Sequence, residues 1–217
     1  MGKDTIYISE EQEDSLIVQS VIFDMGGVIF PFDHMISCRK LSGYCRYEPK
    51  AIYDQIVDSE LKDLFNRGQI TPEEFYRKAT NMLKLEDISF DKFLEIWSNI
   101  FQRSKEVWQL ISALKHKGVS LYLLSNTDKV HFEHLENKYQ LSQLFDAFIL
   151  SFKTGKVKPE PKIFREAIEK INLPPKDLIF IDDTKENVVS ACNLNLNSIH
   201  FKTPGKLKKD LANFEIG

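Results

Sequence analysis

Short apolar runs without clean alternation recur along the chain and outline its architecture. Five of them read as β-strands: Ser20–Asp24, Val119–Ser125, Ala147–Leu150, Leu178–Asp182 and Ser198–Phe201. Each is rich in Ile, Leu, Val or Phe, as expected where both faces of a parallel sheet are covered. Helical spacing separates the later runs. Ser104 is placed to cap a helix reaching Lys117, with Val107, Leu110, Ile111 and Leu114 on one face and Gly118 as its stop. Further helices are predicted over Asp128–Lys138, Glu160–Ile171 and Lys185–Leu194. Strand and helix alternating in this way predict an α/β fold built on a doubly wound parallel sheet.

Residues 34–103 break the alternation. Ile52, Ile56, Leu61, Leu64 and Phe65 fall at helical spacing. Thr71, Pro72 and Glu74 form a capping box with Pro at the first helical position, and the helix that follows places Phe75, Ala79, Met82 and Leu83 on one face. A further segment repeats the theme with Phe90, Phe93, Leu94, Trp97, Ile100 and Phe101. An all-helical insertion after the first strand predicts a small α-helical cap domain at 34–103. The core domain would then comprise 17–33 and 104–217. Residues 1–16, polar and acidic around a short Ile6–Ile8 patch, read as an arm or an added edge strand. No internal repeat interrupts this scheme.

Composition narrows the function classes. Of 217 residues 42% are apolar, 16 of them Phe, enough for a sizeable core plus a small insertion. A formal net charge of −3 gives no electrostatic reason to expect nucleic acid or an anionic membrane as partner. Lys202, Lys206, Lys208 and Lys209 read as a solvated helix face. No apolar run approaches the ~20 residues needed to span a bilayer. The acidic N-terminus lacks a signal-peptide pattern, and Ile6 stands where myristoylation wants Ser or Thr. A cytoplasmic location is the expectation. The three cysteines form no Cys-x-x-Cys pair and read as small core residues. His131 and His134, three apart on one helix, read as a solvent-facing pair without a third metal ligand.

Ligands of open α/β sheets bind beyond the carboxyl ends of the strands. Those ends carry Asp24, then Ser125 and Asn126, then Asp182 and Asp183, with Lys158 in a Lys-Pro-Glu-Pro turn between them. Such a set suits phosphoryl transfer. A carboxylate can attack phosphorus and divide one hard displacement into two easier ones. Magnesium takes few protein carboxylates and shares its shell with phosphate oxygens and water, and Asp24 and Asp183 offer such carboxylates. Lys158 and Ser125 would hold the equatorial oxygens whose charge must be stabilised. Taken singly, each has a bland alternative as a helix cap, turn or loop residue; their ordered placement at successive strand ends is the signal.

The runs VIFDMGGVIF from Val21, LLSNTD from Leu123, SFKTGKVKPEPKIF from Ser151 and IFIDDTKENV from Ile179 resemble the four motifs of the haloacid dehalogenase superfamily. The segment FNRGQITPEEF resembles the cap helices of the subfamily with a small insertion after the first motif. The resemblance covers about residues 20 to 201. It implies a Mg2+-dependent phosphatase acting on a small-molecule phosphate ester, with Asp24 as nucleophile. It also implies that the Gly26 carbonyl and Asp183 bind the metal, with Asp182 as a ligand or as support. Ser125 and Lys158 would meet the phosphate, and the backbone amides of Met25, Gly26 and Asn126 would complete a nest for it.

One departure matters. Family phosphatases usually carry a second Asp two residues after the nucleophile, acting as general acid and base, where this chain has Gly26. Such assistance is typically worth ~10²–10⁴ in rate. Three explanations compete: a good leaving group, with a sugar phosphate favoured; a substitute acid, Asp33 or His34; or binding without turnover, as in a regulatory protein. The rival enzyme is a metal-independent haloacid dehalogenase. The adjacent Asp182 and Asp183 speak against it, because they would repel unless a cation sits between them. Oligomeric state leaves no trace in the sequence.

Overall fold

The computed structural model describes residues 6–7 and 17–216. The rest of the 1–16 arm lies outside the described residues. Six strands form one sheet in the order β1-β7-β6-β3-β4-β5: β1 (Ile6–Tyr7), β3 (Ser20–Phe23), β4 (Ser120–Ser125), β5 (Ala147–Leu150), β6 (Leu178–Asp182) and β7 (Asn197–His200). All pairings are parallel except that of β1, which joins the edge antiparallel to β7. Two short segments, β2 (Ile17–Val18) and β8 (Glu215–Ile216), pair separately. The expected strands therefore form within about one residue of their predicted ends. They do so because β3 and β6 are buried at every position, as a central strand clothed by helices on both faces must be.

The helices between the later strands follow their caps. Ser104 accepts from the Val107 amide and opens α6 (Lys105–His116), and Gly118 follows its end at φ +84°. Asp128 caps α7 (Lys129–Tyr139), a single turn α8 (Ser151–Thr154) follows β5, and Pro161 and Lys185 open α9 (Pro161–Ile171) and α10 (Lys185–Cys192). Val107, Ile111 and Leu114 share a buried face as predicted, and Leu110 is half-buried. One apolar layer, with Phe23, Leu121, Leu123 and Ile181, lies on one side of the sheet, and another, with Ile22, Leu124, Phe164 and Phe180, on the other. The C-terminal lysines Lys202, Lys206, Lys208 and Lys209 are exposed.

Between β3 and β4 the described chain forms helices: α1 (His34–Leu41), α2 (Pro49–Ile52) running into a π-turn at Tyr53–Val57, α3 (Glu60–Asn66), α4 (Pro72–Leu83) and α5 (Phe90–Ser98). They enclose a third apolar cluster centred on Phe65, Phe75, Phe93 and Trp97, in which Phe65 and Phe75 stack 4.3 Å apart. The capping box forms as read: the Thr71 hydroxyl accepts from the Glu74 amide and the Glu74 carboxylate accepts from the Thr71 amide, a cap worth ~1 kcal/mol.

Three expectations fail here. Met82 is 43% exposed, because Leu83 takes the inward position of the last turn of α4. Phe101 does not continue the helical stripe: α5 stops at Ser98, and Phe101 bridges antiparallel to Phe32 and packs on the sheet side. His131 is buried rather than solvent-facing, because α5 lies across that face of α7; its Nε2 sits 2.9 Å from the Trp97 carbonyl. Of the cysteines, all free, Cys38 is buried and the other two are half-buried.

Candidate active site

Strand register assembles the site. Phe23 lies opposite both Leu123 and Ile181, so the next residues outward bring Asp24 beside the ends of β4 and β6. The Asp24 amide donates to the Ile181 carbonyl at 2.8 Å, fixing the turn where β3 ends. Asp24, Ser125, Lys158 and Asp182 are buried together at this edge, and Asp183 is exposed at its mouth. The carboxylates of Asp24, Asp182 and Asp183 each place an oxygen within 4.8 Å of the others.

Lys158 sits in the middle of the charges. Its Nζ lies 2.8 Å from Asp24 Oδ1 and 2.6 Å from Asp182 Oδ2, and it also donates to the Leu124 carbonyl at 3.1 Å. Burial works against its charge, yet Asp182 and Asp24 outweigh that and hold it above the ordinary lysine range. Its backbone is clamped by the Asn126 side chain, whose Nδ2 donates to the Lys158 carbonyl and whose Oδ1 accepts from the Lys158 amide, both at 2.8 Å. This side-chain role of Asn126 went unread in the sequence.

Asp182 is fully committed to the protein. Oδ1 accepts from the Thr184 amide at 2.8 Å and from Asn187 Nδ2 at 3.0 Å, while Oδ2 takes Lys158. Asn187 was also missed, although it stands within the last quoted motif, in the first turn of α10. Asp183 receives no side-chain hydrogen bond among the described residues and stays open to a ligand. Its carboxyl is raised by desolvation and then by repulsion from Asp182. Burial pushes Asp24 up to about 7, with Lys158 lowering it and Asp182 and Asp183 raising it again. Three carboxylates facing one ammonium leave an excess of negative charge.

The loop after Asp24 is shaped by close approaches. The Met25 amide donates to Asp24 Oδ1 at 2.7 Å. Gly27 has φ +73°, and a Cβ there would lie 2.0 Å from an Asp183 carboxylate oxygen. Glycine is therefore required by backbone and by space alike. Gly26 is not left-handed, but its Cβ would lie 2.9 Å from the ring edge of Phe32. The two residues named as substitute acids are otherwise engaged. Asp33 caps α1 through the Met35 amide and pairs with Arg39 in the open. The His34 ring lies among Phe32, Trp97 and His131, and burial, then the charge of Lys62, lower it to about 3. Its surroundings thus favour the neutral imidazole over the imidazolium that a general acid needs.

The helical segment touches this edge through α3. Lys62 Nζ reaches the buried Asp128 carboxylate at 2.9 Å, where Trp97 Nε1 and His131 Nδ1 also converge. Arg67 pairs with Glu160, two residues beyond Lys158, at 2.8 Å, and Ser151 Oγ donates to the Asn66 carbonyl at 2.7 Å.

Comparison with known proteins identifies the family. The family model described as haloacid dehalogenase-like hydrolase matches residues 21–201. A sesquiterpene phosphatase of Aspergillus oryzae is 25% identical over 186 residues, spanning 84% of this chain and 89% of that protein. A D-ribitol-5-phosphate phosphatase of Bacteroides thetaiotaomicron is 24% identical over 179 residues, spanning 79% and 86%. Among solved structures, a family enzyme from the same bacterium, in complex with magnesium and inorganic phosphate, superposes with a TM-score of 0.73 at 24% identity, covering 85% of this chain and 94% of that chain.

Proposed function

Because the chain belongs to the haloacid dehalogenase-like hydrolases, we propose that it is a magnesium-dependent phosphatase of small phosphate monoesters, acting through an aspartyl-phosphate on Asp24. The observation that carries this reading is the convergence of the Asp24, Asp182 and Asp183 carboxylates around a single buried lysine. Hard oxygen donors carrying surplus negative charge fit a divalent cation; burial raises the Asp24 and Asp183 carboxyls first, and repulsion from Asp182 adds to it, so a bound cation would favour their charged forms. Asp24, the Gly26 carbonyl and Asp183 would hold magnesium. Asp182, whose oxygens already serve Lys158, Thr184 and Asn187, supports rather than ligates. Bound magnesium would supply charge neutralisation of the phosphate and of the attacking carboxylate. Relatives named as phosphatases, and a structural neighbour holding magnesium with phosphate, support the same reading.

In this mechanism Lys158 keeps one Asp24 oxygen oriented and offers its ammonium to the phosphate. Ser125 and the amides of Met25, Gly26 and Asn126 form the rest of the phosphate cradle. The free Asp24 oxygen attacks phosphorus, and the ester oxygen departs with the bonding electron pair. Water then hydrolyses the aspartyl-phosphate and returns the carboxylate. Residues 34–103 act as the cap over this edge, tied down by Lys62 and Arg67. A sugar phosphate, the substrate favoured from sequence, meets the demand for an easy leaving group if its phosphate is anomeric. The side chain that a Cβ at position 26 would meet, however, is the Phe32 ring, which favours an apolar ester over a polyol. Free thiols and a small-molecule substrate accord with a cytoplasmic enzyme. No described helix is long and apolar enough to cross a membrane.

Release of phosphate from an aryl phosphate tests the reading. Turnover should require magnesium, cease in chelator and vanish in Asp24→Asn. A metal-independent dehalogenase would release no phosphate but would free halide from a 2-haloacid with or without chelator, and a regulatory binding protein would show saturable phosphate binding with no turnover. Full activity in Asp24→Asn would remove the nucleophile from Asp24.

A further inference from the structure

Phe32 is the most exposed large apolar side chain among the described residues, at 47%, yet its backbone is firmly held. It bridges antiparallel to Phe101, and the flanking bonds Asp33 N to Ile100 O and Gln102 N to Pro31 O pin it where the chain enters and leaves the helical segment. The ring is backed by Phe101 at 5.7 Å and His34 at 5.4 Å, and its edge lies over Gly26. A carboxylate side chain at position 26 and this ring compete for one volume. The site has an aromatic surface beside Gly26, while Asp33 is taken up by the α1 cap and Arg39 and the His34 ring is buried among aromatic rings.

We propose that Phe32 is the specificity-determining residue of this site, selecting phosphate monoesters of planar, apolar, weakly basic alcohols, that is, aryl phosphates. The inference rests on the phosphatase reading and specifies its substrate class. A phenolate leaves without protonation, so an aryl ester loses little from the absent acid, whereas a primary alkoxide loses much. An aryl ring can also lie against Phe32 in an offset or edge-to-face arrangement. The atoms balance without a further reactant. Asp24 takes the phosphoryl group as the P–O(aryl) bond breaks and its electron pair goes to the phenolate. Water then attacks the aspartyl-phosphate, giving inorganic phosphate and the free carboxylate, and the proton it sheds is taken up by the phenolate.

The test is steady-state kinetics with magnesium on substituted phenyl phosphates and on ribitol 5-phosphate, in the wild type, Phe32→Ala and Phe32→Tyr. Wild-type kcat/KM should favour phenyl phosphates by at least about 10²-fold, the low end of what an acid contributes, and should rise as the phenol becomes more acidic. Phe32→Ala should raise KM for phenyl phosphates by about 3–10-fold, the scale of an aromatic pair, with kcat little changed. KM for ribitol 5-phosphate should not move, and Phe32→Tyr should retain the aryl KM. Thermal melts would establish that the variants are folded, which the half-exposed position favours. Equal use of aryl and alkyl esters by the wild type, or an equal KM rise for both in Phe32→Ala, would overturn the inference while leaving the phosphatase reading intact. Absence of turnover on every ester, with magnesium present, would overturn both.

Discussion

Replacing Gly26 by Asp puts a proton donor back two residues from the nucleophile, and the structure says what stands in its way. The backbone does not, since the left-handed residue of the pair is Gly27. The obstacle is the Phe32 ring, whose nearest carbon would lie 2.9 Å from the new Cβ. Ordinary contact demands roughly 0.5–1 Å more. Overpacking in a closed core costs ~1–3 kcal/mol, and a ring 47% exposed can swing outward, so the low end applies here. Gly26→Asp should therefore fold with a Tm lowered by a few degrees. Its rate on a primary alkyl phosphate should rise by up to ~10², with little change on an aryl phosphate. Adding Phe32→Ala should relieve the clash and increase the alkyl gain further, a positive coupling that a double-mutant cycle isolates. Single-turnover kinetics would separate phosphorylation of Asp24 from hydrolysis of the aspartyl-phosphate. A folded double variant with no gain on alkyl esters would refute the reasoning. It would mean that another group already donates the proton.

Three further outcomes follow from the same geometry. Gly27→Ala should raise the magnesium concentration for half-maximal activity by about 10–100-fold, because its Cβ would displace the Asp183 carboxylate; an unchanged requirement would clear Asp183 of metal binding. Asp128→Asn should cost about 3 kcal/mol in urea unfolding, the low end for breaking a buried ion pair because Lys62 is partly solvated; a loss below about 1 kcal/mol would show that the network is not a fastening. For His34, burial and the facing charges of Lys62 and His131 lower the folded pKa to about 3, with Asp128 opposing them. Below the unfolded value near 6.5 the unfolded chain thus binds a proton that the folded one refuses. Stability should fall as pH drops from about 6.5 toward 3, by about 2 kcal/mol at pH 5 from this residue. His34→Phe should flatten that slope in urea titrations, and an unaltered slope would mean the ring titrates freely.

The sheet was legible because burial on both faces leaves an unmistakable apolar run. The ends of β5 and β6 fall at the predicted residues because polar or turn residues bound them. The site was legible for a related reason. Parallel register turns strand ends into neighbours, so Asp24, Ser125 and Asp182 could be grouped without knowing any distance. What stayed hidden depends on contacts with no period. Lys62 meets Asp128 across 66 positions of sequence, and nothing along α3 or α7 announces it. His131 looks polar in the sequence and becomes buried only because Asp128 and the Trp97 carbonyl complete its hydrogen bonds. Phe32 reads as one more apolar residue near a hinge. Its meaning appears only when its ring is seen over Gly26. Gly27 carried a signal in the Gly-Gly doublet, but which glycine admits the Asp183 carboxylate is a matter of backbone angle.

Among the described residues, the buried carboxylates Asp128 and Asp24 stand in contrasting surroundings, one closed by its partners and one left open. Asp128 is finished. Burial pushes its carboxyl up, but His131 and Lys62 outweigh burial and hold it far below the usual carboxylate range, with Trp97 Nε1 and the His131 amide also donating to it. Nothing further is needed to keep that charge, and a ligand would have to displace partners already in place. Asp24 is shifted the other way, up to about 7, although Lys158 lies 2.8 Å away. Burial raises it first, Asp182 and Asp183 add to that, and Lys158 offsets only part, so a divalent cation here would favour its charged form. The same accounting applies to Asp183, which is raised, exposed and held against Gly27 with no donor of its own among the described residues. Folding alone gives no reason to keep three carboxylates around one lysine, since removing a carboxylate would relieve the repulsion. The imbalance makes sense when a cation and a phosphate ester are bound there, and the closed network at Asp128 shows how the same chain treats a charge it needs only for structure.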